Sequence, residues 1–488
     1  MHIHLQDTGG KTRQQGVSSA QFGTPQNELG AWARWNWDGT ALRAEVDRYG
    51  FYPIFYALLD DGCAVSDSIS ELIQLGARRV FDDAGIAAFL RLGFFLGEDT
   101  PFADVRAFPP GGVLTWSREH GLAVSGTPIP RKVDHSISLD AAIDEYVERF
   151  RSAIAVSIPS DMNHTAMPLS GGRDSRHIAY EIKRLGIQPG IVLSQMHFKH
   201  RSNDDMRIAA DVCRILDWPI SIVPQSDDPV EAELEKNILF ECLTDEHAWF
   251  GPAASMLTSA KVTSIYDGLG GDVLSNGLFI RAPWIRLQES GAIDELLLSL
   301  GYGADETALG SILTPQYRGR WGRDVALERM RAEYLRYTSG DNPIHEFFFW
   351  NRTRREISIF FPRFMPGVEI LTPYLNPDVF DHLWRIPSAL MECRSFHDAA
   401  IERAAPEYAS IPYESKQSTD VDMGSYSRSI TRGMAHRSAF WFGGEILDRR
   451  WIRPRLAASL LKPASAGTNV WWARWAIWLV SLEQLSAK

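Results

Sequence analysis

The segment from Met167 to Arg176 combines the residue types that bind phosphate groups and a divalent cation. It contains two serines, two glycines and one aspartate: Ser170, Ser175, Gly171, Gly172 and Asp174. Glycines let the backbone approach a phosphate closely, serine hydroxyls donate hydrogen bonds, and a carboxylate supplies the oxygen ligands that Mg²⁺ takes. The pattern of the Walker loop is absent. The alternative interpretation is a glycine-rich turn that only caps a helix.

The neighbouring sequence predicts the elements that would position this loop. An apolar strand, Thr165–Leu169, precedes it and a helix, Asp174–Leu185, follows it, so the loop lies at a helix N-terminus, where backbone N–H groups favour an anion. Three further strands alternate with helices: Gly190–His197, Pro219–Pro224 and Thr263–Tyr266. This alternation predicts a parallel, doubly wound sheet. From Ile280 onward, helical patterns dominate.

The first 135 residues follow a different pattern. Short strands at Ala31–Trp37 and Ala41–Asp47 flank a dipeptide, Asp38-Gly39, that is favoured in hairpin turns, and a helix with an acidic first turn is expected at Asp83–Leu92. Residues 128–138 contain prolines and lack periodicity, which indicates a linker. We therefore predict two domains, residues 1–135 and residues 136–488. The first is expected to be an α+β domain, and the second an α/β domain with a parallel sheet and a helical C-terminal part.

Composition narrows the class of protein. The 488 residues include 61 Asp and Glu against 50 Lys and Arg, a net charge of −11, which opposes binding to the nucleic-acid backbone. The four cysteines lie far apart and form neither a disulfide framework nor a zinc-ligand pattern. No signal peptide or membrane-spanning run is recognisable, so we expect a cytoplasmic protein with no nucleic-acid or membrane partner. The basic, Trp-rich C-terminal segment is interpreted as a helical cap with a tryptophan core.

The sequence SGGRDS resembles the SGGxDS pyrophosphate loop of the N-type ATP pyrophosphatases. The resemblance is to the synthetase domain of asparagine synthetase B-like proteins, a family that includes β-lactam synthetases and lasso-peptide cyclases. Four later segments are similar to stretches of that family: Asp204–Val212, Asp267–Asp272, Glu369–Asn376 and Pro412–Lys416. The resemblance implies a fold like that of the adenine nucleotide α-hydrolases.

The same resemblance implies the cofactors and the site. ATP and Mg²⁺ are the expected cofactors, with Asp174 and Asp272 as metal ligands. Lys416 would stabilise the pentavalent phosphorus and the leaving pyrophosphate. The expected ATP contacts beyond the loop are Gly270, in the later glycine-rich turn, and the main chain near Leu193 and Ser194, which would meet the adenine.

The N-terminal part resembles another kind of domain. Val46–Tyr56 and Ser66–Ile69 are similar to segments of class II glutamine amidotransferases, which have an Ntn-hydrolase-like sandwich. Those glutaminases use an N-terminal cysteine whose own α-amine is the general base, whereas this chain begins Met1-His2 and its first cysteine is Cys63. The domain is therefore interpreted as a degenerate glutaminase-like scaffold. Its start also looks short for the glutamine-binding strands of that family.

The chain departs from the family at positions that bear on chemistry. Leu269 occupies a position that is acidic in asparagine synthetases and tyrosine in β-lactam synthetases, and leucine can neither accept a proton nor orient an amine. Glu356 and Glu369 are the candidate catalytic bases in its place. The alternative for Glu356 is an ion pair with the nearby arginines. Leu371 and Asn376 replace the family's arginine and aspartate, which weakens the case for aspartate as substrate.

The resemblance, with these departures, implies an ATP-dependent ligase that activates a carboxylate as an acyl-adenylate and joins it to a non-glutamine amine, releasing AMP and pyrophosphate. The simplest version is a cyclase, because a small molecule or peptide that carries both groups gains much acceleration from proximity. A lasso-type cyclase would have a precursor peptide and a companion protease as partners. Two alternatives stay open. One is an asparagine synthetase-like enzyme fed by free ammonia or a separate glutaminase, and the other is a catalytically silent nucleotide-binding scaffold.

Overall fold

The computed structural model describes residues 1–23, 30–196, 203–301, 305–338, 340–414, 423–461 and 471–487. These residues form three five-stranded sheets and a large helical C-terminal part. The fold is mixed α/β, as the sequence predicts. Across the described ranges, no helix combines the length and the hydropathy needed to cross a membrane.

The N-terminal strands form two antiparallel sheets that pack face to face. The strands are β1 (His2–Asp7), β2 (Thr12–Gly16), β3 (Ser19–Gly23), β4 (Trp32–Trp37), β5 (Ala41–Val46), β6 (Phe55–Leu59), β7 (Gly62–Ser66), β8 (Val105–Ala107), β9 (Val113–Ser117) and β10 (Gly121–Ser125). The sheet orders are β2-β1-β7-β6-β8 and β10-β9-β5-β4-β3. Alternate residues fill the space between the sheets: Leu42 and Ala44 of β5 are buried, and Arg43 between them is exposed.

The start of the chain contributes more to this sandwich than the sequence suggests. Strands β1, β2 and β3 all precede Ala31, and β1 pairs on both sides, with β2 and with β7. Ile3 and Leu5 of β1 are fully buried in the core between the sheets. Two helices follow β7: α1 (Ile69–Gln74) and α2 (Asp83–Leu92). The second has the predicted bounds.

The third sheet is entirely parallel, and its strands lie between Thr165 and Leu371. Its strands are β11 (Thr165–Pro168), β12 (Ile191–Met196), β13 (Ser221–Pro224), β14 (Ser264–Tyr266) and β15 (Glu369–Leu371), in the order β13-β12-β11-β14-β15. The chain runs outward from β11 to β13 and then returns to β14 on the other side of β11. In open sheets of this kind, ligands bind outside the carboxyl ends of the strands where the order reverses. That switch point lies between β11 and β14.

Helices connect and surround this sheet. They are α3 (Leu139–Val156), α4 (Asp174–Arg184), α5 (Asp204–Leu216), α6 (Pro229–Leu239), α7 (Gly251–Ser259), α8 (Gly271–Leu274), α9 (Ala282–Glu289), α10 (Ile293–Leu300), α11 (Glu306–Ile312), α12 (Pro315–Arg320), α13 (Arg323–Tyr334), α14 (Pro343–Phe348), α15 (Phe360–Phe364), α16 (Pro377–Arg385), α17 (Ser395–Ala404), α18 (Met423–Ala435), α19 (Arg449–Leu461) and α20 (Trp471–Ala487). The predicted helix Asp204–Leu216 has the observed bounds, because an acidic first turn and regular apolar spacing define it.

The C-terminal helix α20 packs through its tryptophans. Trp475 and Trp478 are each 1% exposed, and Trp478 stacks on Phe89 of α2 with ring centres 4.4 Å apart. Trp475 and Trp478 therefore form core, as the helical-cap interpretation predicts.

A π-helix, Phe349–Ile357, joins the sandwich to the parallel-sheet region. The Arg354 guanidinium donates to the carbonyl oxygen of Phe108 (2.8 Å), and the Arg355 guanidinium donates to that of Asp99 (2.7 Å). Both arginines are buried, and charge-assisted hydrogen bonds are strong. They therefore fix the π-helix against the main chain at Phe108 and Asp99. π-Helical turns are frequent at functional sites, and the same segment carries two charged residues that lie near the switch point.

Candidate active site

The SGGRDS loop runs from the carboxyl end of β11 to the start of α4, as predicted. Its residues hydrogen-bond to one another. The Ser170 amide donates to Ser175 Oγ (3.0 Å), the Gly172 amide donates to Ser170 Oγ (3.1 Å), and the two hydroxyl oxygens lie 2.9 Å apart. The Gly171 amide donates to Oδ1 of Asp205 (2.7 Å), at the start of α5. These bonds hold the loop in one shape, which lowers the cost of ordering it around a ligand.

The segment that leads to Lys416 is attached to this loop. The Glu414 amide donates to the carbonyl oxygen of Gly171 (3.1 Å), and the buried Arg176 guanidinium donates to the same oxygen (2.9 Å). The Arg176 guanidinium also lies 4.6 Å from the centre of the Tyr413 ring, within the range of a cation–π contact. Lys416 itself lies outside the described residues, so its role at the pyrophosphate stays a prediction.

Three carboxylates lie near enough to interact electrostatically at the switch point: Asp174 after β11, and Asp267 and Asp272 after β14. We call them the switch-point carboxylates. Burial raises the pKa of Asp174 well above its usual range, and the charges of Asp272 and Asp267 raise it further. Burial raises the pKa of Asp267 to about 7, although a hydrogen bond from the Leu269 amide opposes the shift. Both shifts mark a place where negative charge is costly and where a cation would be stabilised.

The glycine-rich turn after β14 packs directly against Asp174. A Cβ at Gly268 would lie 2.7 Å from Asp174 Cβ, and a Cβ at Gly271 would lie 2.7 Å from both Asp174 Cγ and Oδ1. Gly270 has φ 89°, in the left-handed region that favours glycine, and leads into α8. Leu269 is 5% exposed and belongs to the hydrophobic core. The turn thus brings Asp272 beside Asp174, and Leu269 adds no polar group to the crevice.

These residues fit a divalent cation. The Asp174 side chain is 22% exposed, while its Oδ1 is buried and has no hydrogen-bond partner among the described residues. The Asp272 side chain is 36% exposed. Carboxylate oxygens are the ligands that Mg²⁺ prefers, and its charge would offset the repulsion that raises the pKa of Asp174. Asp174 and Asp272 are the residues that would hold Mg²⁺ here.

The residues predicted to meet adenine lie inside β12, not at its end. The carbonyl oxygen of Leu193 accepts a hydrogen bond from the Leu169 amide (2.8 Å), so this main-chain group already has a partner in the sheet. Ser194 is 4% exposed, and its Oγ has no hydrogen-bond partner in the described ranges. The strand continues to Met196, and residues 197–202 lie outside the described residues. The adenine contact at these two positions stays a prediction.

Glu356 lies behind Arg352 and does not reach the crevice itself. It is fully buried, and its Oε2 lies 3.1 Å from Arg352 Nε. Arg352 Nη1 in turn lies 3.8 Å from Asp272 Oδ2. Arginine stays protonated in proteins and so cannot relay a proton between the two carboxylates. In this arrangement Glu356 supports Arg352, and the placement gives no support to its predicted role as a base.

Glu356 belongs to a second group of carboxylates, which we call the ion-pair cluster. Its members are Asp245, Glu246 and Glu356, whose oxygens lie within 4.8 Å of one another. Arg474 Nη2 lies 2.5 Å from Asp245 Oδ2 and 3.9 Å from Glu246 Oε1. Burial, and then the charge of Glu246, raises the pKa of Glu356 well above its usual range. Because guanidinium groups lie beside these carboxylates, the geometry favours ion pairing over a metal site.

Glu369, the other predicted base, lies at the opposite edge of the sheet. It is the first residue of β15 and pairs with Ser264, at the start of β14. The switch-point carboxylates follow the carboxyl ends of the strands. The structure therefore does not bring Glu369 together with them.

Asp205 and His397 were given no role from the sequence, and Arg352 was considered only as an ion-pair partner of Glu356. Asp205 carries a detectable signal, because an acidic residue begins the helix that follows β12. Burial, and then the charge of Glu414, raises the pKa of Asp205 to about 6. Arg352 and His397 carry no local signal, since their partners at the site are distant in sequence.

No protein-family model matches this chain, and no curated protein matches it. Among solved structures, the chain is similar to the U34-tRNA thiolase NcsA from Methanococcus maripaludis with its 4Fe-4S cluster. The match has 14% sequence identity and a TM-score of 0.23, and it covers 61% of this chain and 82% of the other. So low a TM-score carries no inference about activity, and the function must be argued from the residues of this chain.

Proposed function

We propose that this chain is an ATP-dependent, AMP-forming amide ligase that adenylates a substrate carboxylate. The observation that carries the proposal is the packing of Asp174 against the glycine-rich turn, beside Asp272 and next to the SGGRDS loop. One crevice at a switch point thereby offers an anion-binding loop and two carboxylates for Mg²⁺. Departure of pyrophosphate needs its charge to be neutralised, and this set of groups can do that.

The proposed first step joins the substrate carboxylate to the α-phosphorus of ATP. A carboxylate oxygen attacks, the bond to the bridging oxygen breaks, and pyrophosphate leaves with the electron pair. The loop amides and the hydroxyls of Ser170 and Ser175 would bind the leaving group, and Lys416 is proposed to add a positive charge. Mg²⁺ held by Asp174 and Asp272 would neutralise charge on the phosphates.

The proposed second step forms the amide bond. An amine nitrogen attacks the acyl carbon, AMP leaves, and the nitrogen loses a proton. Leu269 lies in the core, and Glu356 lies behind Arg352, so neither offers a base at the crevice. We propose that the amine belongs to the same small molecule or peptide as the carboxylate, since proximity then lowers the barrier without a strong protein base. Lasso-peptide and β-lactam-like ring closure are both of this kind.

The test uses the full-length protein with ATP, Mg²⁺ and fractionated small molecules and peptides from the cells that produce it. We expect AMP and pyrophosphate to form only with certain fractions. Mass spectrometry should then find one component that has lost one water. The Asp174→Asn variant, which is matched in size, should form neither product.

Other outcomes separate the alternatives. Formation of asparagine from aspartate, ammonium and ATP would favour an asparagine synthetase-like enzyme. Absence of AMP with every fraction, from a folded protein, would contradict the ligase. If the product in cells is also unchanged by Asp174→Asn, a silent scaffold becomes the better account.

A further inference from the structure

A histidine that no motif includes lies directly behind Asp174. His397, on α17, is fully buried. Its Nδ1 lies 3.4 Å from Asp174 Oδ1 and 3.0 Å from Ser275 Oγ, and its Nε2 lies 3.3 Å from the Tyr374 hydroxyl. The imidazole therefore faces the carboxylate oxygen that is buried. The exposed part of the Asp174 side chain lies elsewhere, toward the crevice.

The hydrogen bonds around His397 assign its proton. Ser275 Oγ lies 2.9 Å from the carbonyl oxygen of Gly271, which can only accept, so the serine proton points there. Ser275 Oγ must then accept from His397, which places the imidazole proton on Nδ1. Nδ1 also lies 3.4 Å from Asp174 Oδ1, a polar contact that falls short of a hydrogen bond. The Tyr374 hydroxyl lies 3.3 Å from Nε2 and donates to the carbonyl oxygen of Asp174 (3.4 Å).

We propose that His397 is a positioning residue, whose Nδ1 faces the buried Asp174 Oδ1 at 3.4 Å and so orients the carboxylate to present its exposed oxygen to Mg²⁺. The inference rests on the proposed Mg-ATP function of the same site. Residues that orient a metal-binding side chain typically change metal affinity by 10- to 100-fold when they are mutated. Two surfaces fix Asp174 here: the glycine-rich turn in front of it and His397 behind it.

Two amide substitutions test which nitrogen matters. The Asn side chain places an N–H near the position of Nδ1, and the longer Gln side chain places one near Nε2. Full-length protein is titrated with Mg²⁺ at a fixed concentration of a fluorescent N-methylanthraniloyl-ATP, and the binding of Mn²⁺ is followed in parallel by electron paramagnetic resonance. We expect His397→Ala and His397→Gln to weaken apparent cation affinity by about 10- to 100-fold. His397→Asn should stay within about threefold of wild type, because the donor is retained.

Nucleotide binding in EDTA provides the internal reference, and all three variants should match wild type there. The matched control is His345→Asn. His345 is also a buried histidine, 2% exposed, but it packs against Trp384 and contacts none of the switch-point carboxylates. It should lower the thermal midpoint without changing cation affinity.

Unchanged cation affinity in His397→Ala would overturn the inference. Equal losses in the Asn and Gln variants would overturn it too, because they would indicate a packing role. If wild-type protein binds the nucleotide with no dependence on Mg²⁺, the proposed function fails, and the inference fails with it. Loss of the inference alone would leave wild-type binding dependent on Mg²⁺.

Discussion

Two groups of three carboxylates lie on either side of Arg352, and they differ in what surrounds them. Arg352 Nη1 lies 3.8 Å from Asp272 of the switch-point carboxylates, and its Nε lies 3.1 Å from Glu356 of the ion-pair cluster. The ion-pair cluster also has Arg474, 2.5 Å from Asp245. In each group, burial raises the pKa of at least one carboxylate. The guanidinium groups of Arg352 and Arg474 lie close to the carboxylates of the ion-pair cluster, whereas the contact of Arg352 with Asp272 is longer.

This difference distinguishes buried carboxylates that stabilise the fold from buried carboxylates that could bind a ligand. In both groups a carboxylate packs against a glycine, where a larger residue would clash. A Cβ at Gly93 would lie 2.7 Å from both carboxylate oxygens of Asp245, and a Cβ at Gly271 would lie 2.7 Å from Asp174 Oδ1. Close packing alone therefore does not mark a ligand site. A carboxylate that packs tightly, stays partly exposed as a side chain and is short of countercharge marks one better.

The largest effect should come from Asp174→Asn. It removes a proposed metal ligand, and we expect AMP formation to fall by about 10²- to 10³-fold, the scale seen when one group that stabilises the transition state is lost. Stability in the absence of Mg²⁺ should rise or stay level, because burial penalises the charge that the variant removes. Steady-state AMP release and thermal unfolding measure the two effects. A clear loss of stability without Mg²⁺ would place Asp174 with the structural carboxylates instead.

Gly271→Ala should reproduce part of that effect without removing a charge. The added methyl group meets Asp174 Cγ and Oδ1 and displaces the carboxylate. A loss of about 10- to 100-fold in apparent Mg²⁺ affinity is expected, the scale of orienting contacts. The matched control is Gly319→Ala, since a Cβ at Gly319 has no heavy atom within 4 Å beyond its own helix and chain neighbours. Equal Mg²⁺ affinity in the two variants would contradict the assigned packing.

The pH dependence of the free energy of unfolding tests the switch-point carboxylates in a third way. Asp267 has a folded-state pKa of about 7 against an ordinary value of 3.8, so the folded protein holds more protons than the unfolded one between these pH values. Its free energy of unfolding should therefore fall as pH rises from about 4 to about 7, by something on the order of 2 kcal/mol. Mg²⁺ should offset the loss at pH 8 and have little effect at pH 5, where protons compete with it.

Thermal midpoints measured with and without Mg²⁺ across this range test the idea. A Mg²⁺-induced shift of equal size at pH 5 and pH 8 would contradict it. In Asp174→Asn, the shift at pH 8 should be much smaller.

Elements that depend on interactions between residues close in sequence could be predicted from the sequence, and those that depend on distant contacts could not. The helices Asp83–Leu92 and Asp204–Leu216 and the SGGRDS turn depend on local caps and periodicity, and the sequence predicts all three. Strand β2 was not predicted, because its short polar run gains its place only by pairing with β1. The position of Glu356 depends on Arg352 and on a π-helix that no local pattern announces.

The smallest effect is expected from Glu356→Gln, and it tests the ion-pair cluster. Burial raises the pKa of Glu356 well above its usual range, so the folded protein favours the neutral acid more strongly than the unfolded chain does. Glutamine has nearly the same shape as that acid and should change the free energy of unfolding by less than about 1 kcal/mol. Arg474→Met, by contrast, leaves Asp245 and Glu246 without that countercharge. It should cost about 2 kcal/mol, less than for a fully buried pair because the arginine side chain is 36% exposed.

Urea unfolding measures the change in stability of each variant. Mg²⁺ titration shows whether a change at Glu356 also alters, through Arg352, the cation affinity of the switch-point carboxylates. Because Arg352 also lies 3.8 Å from Asp272, a shift in its position would move cation affinity at the switch point. We expect Glu356→Gln to leave that affinity within about twofold, since an amide oxygen can still accept from the guanidinium. A larger change with unchanged stability would mean that Arg352 transmits the state of the ion-pair cluster to the site, and the two groups of carboxylates would then have to be treated as one.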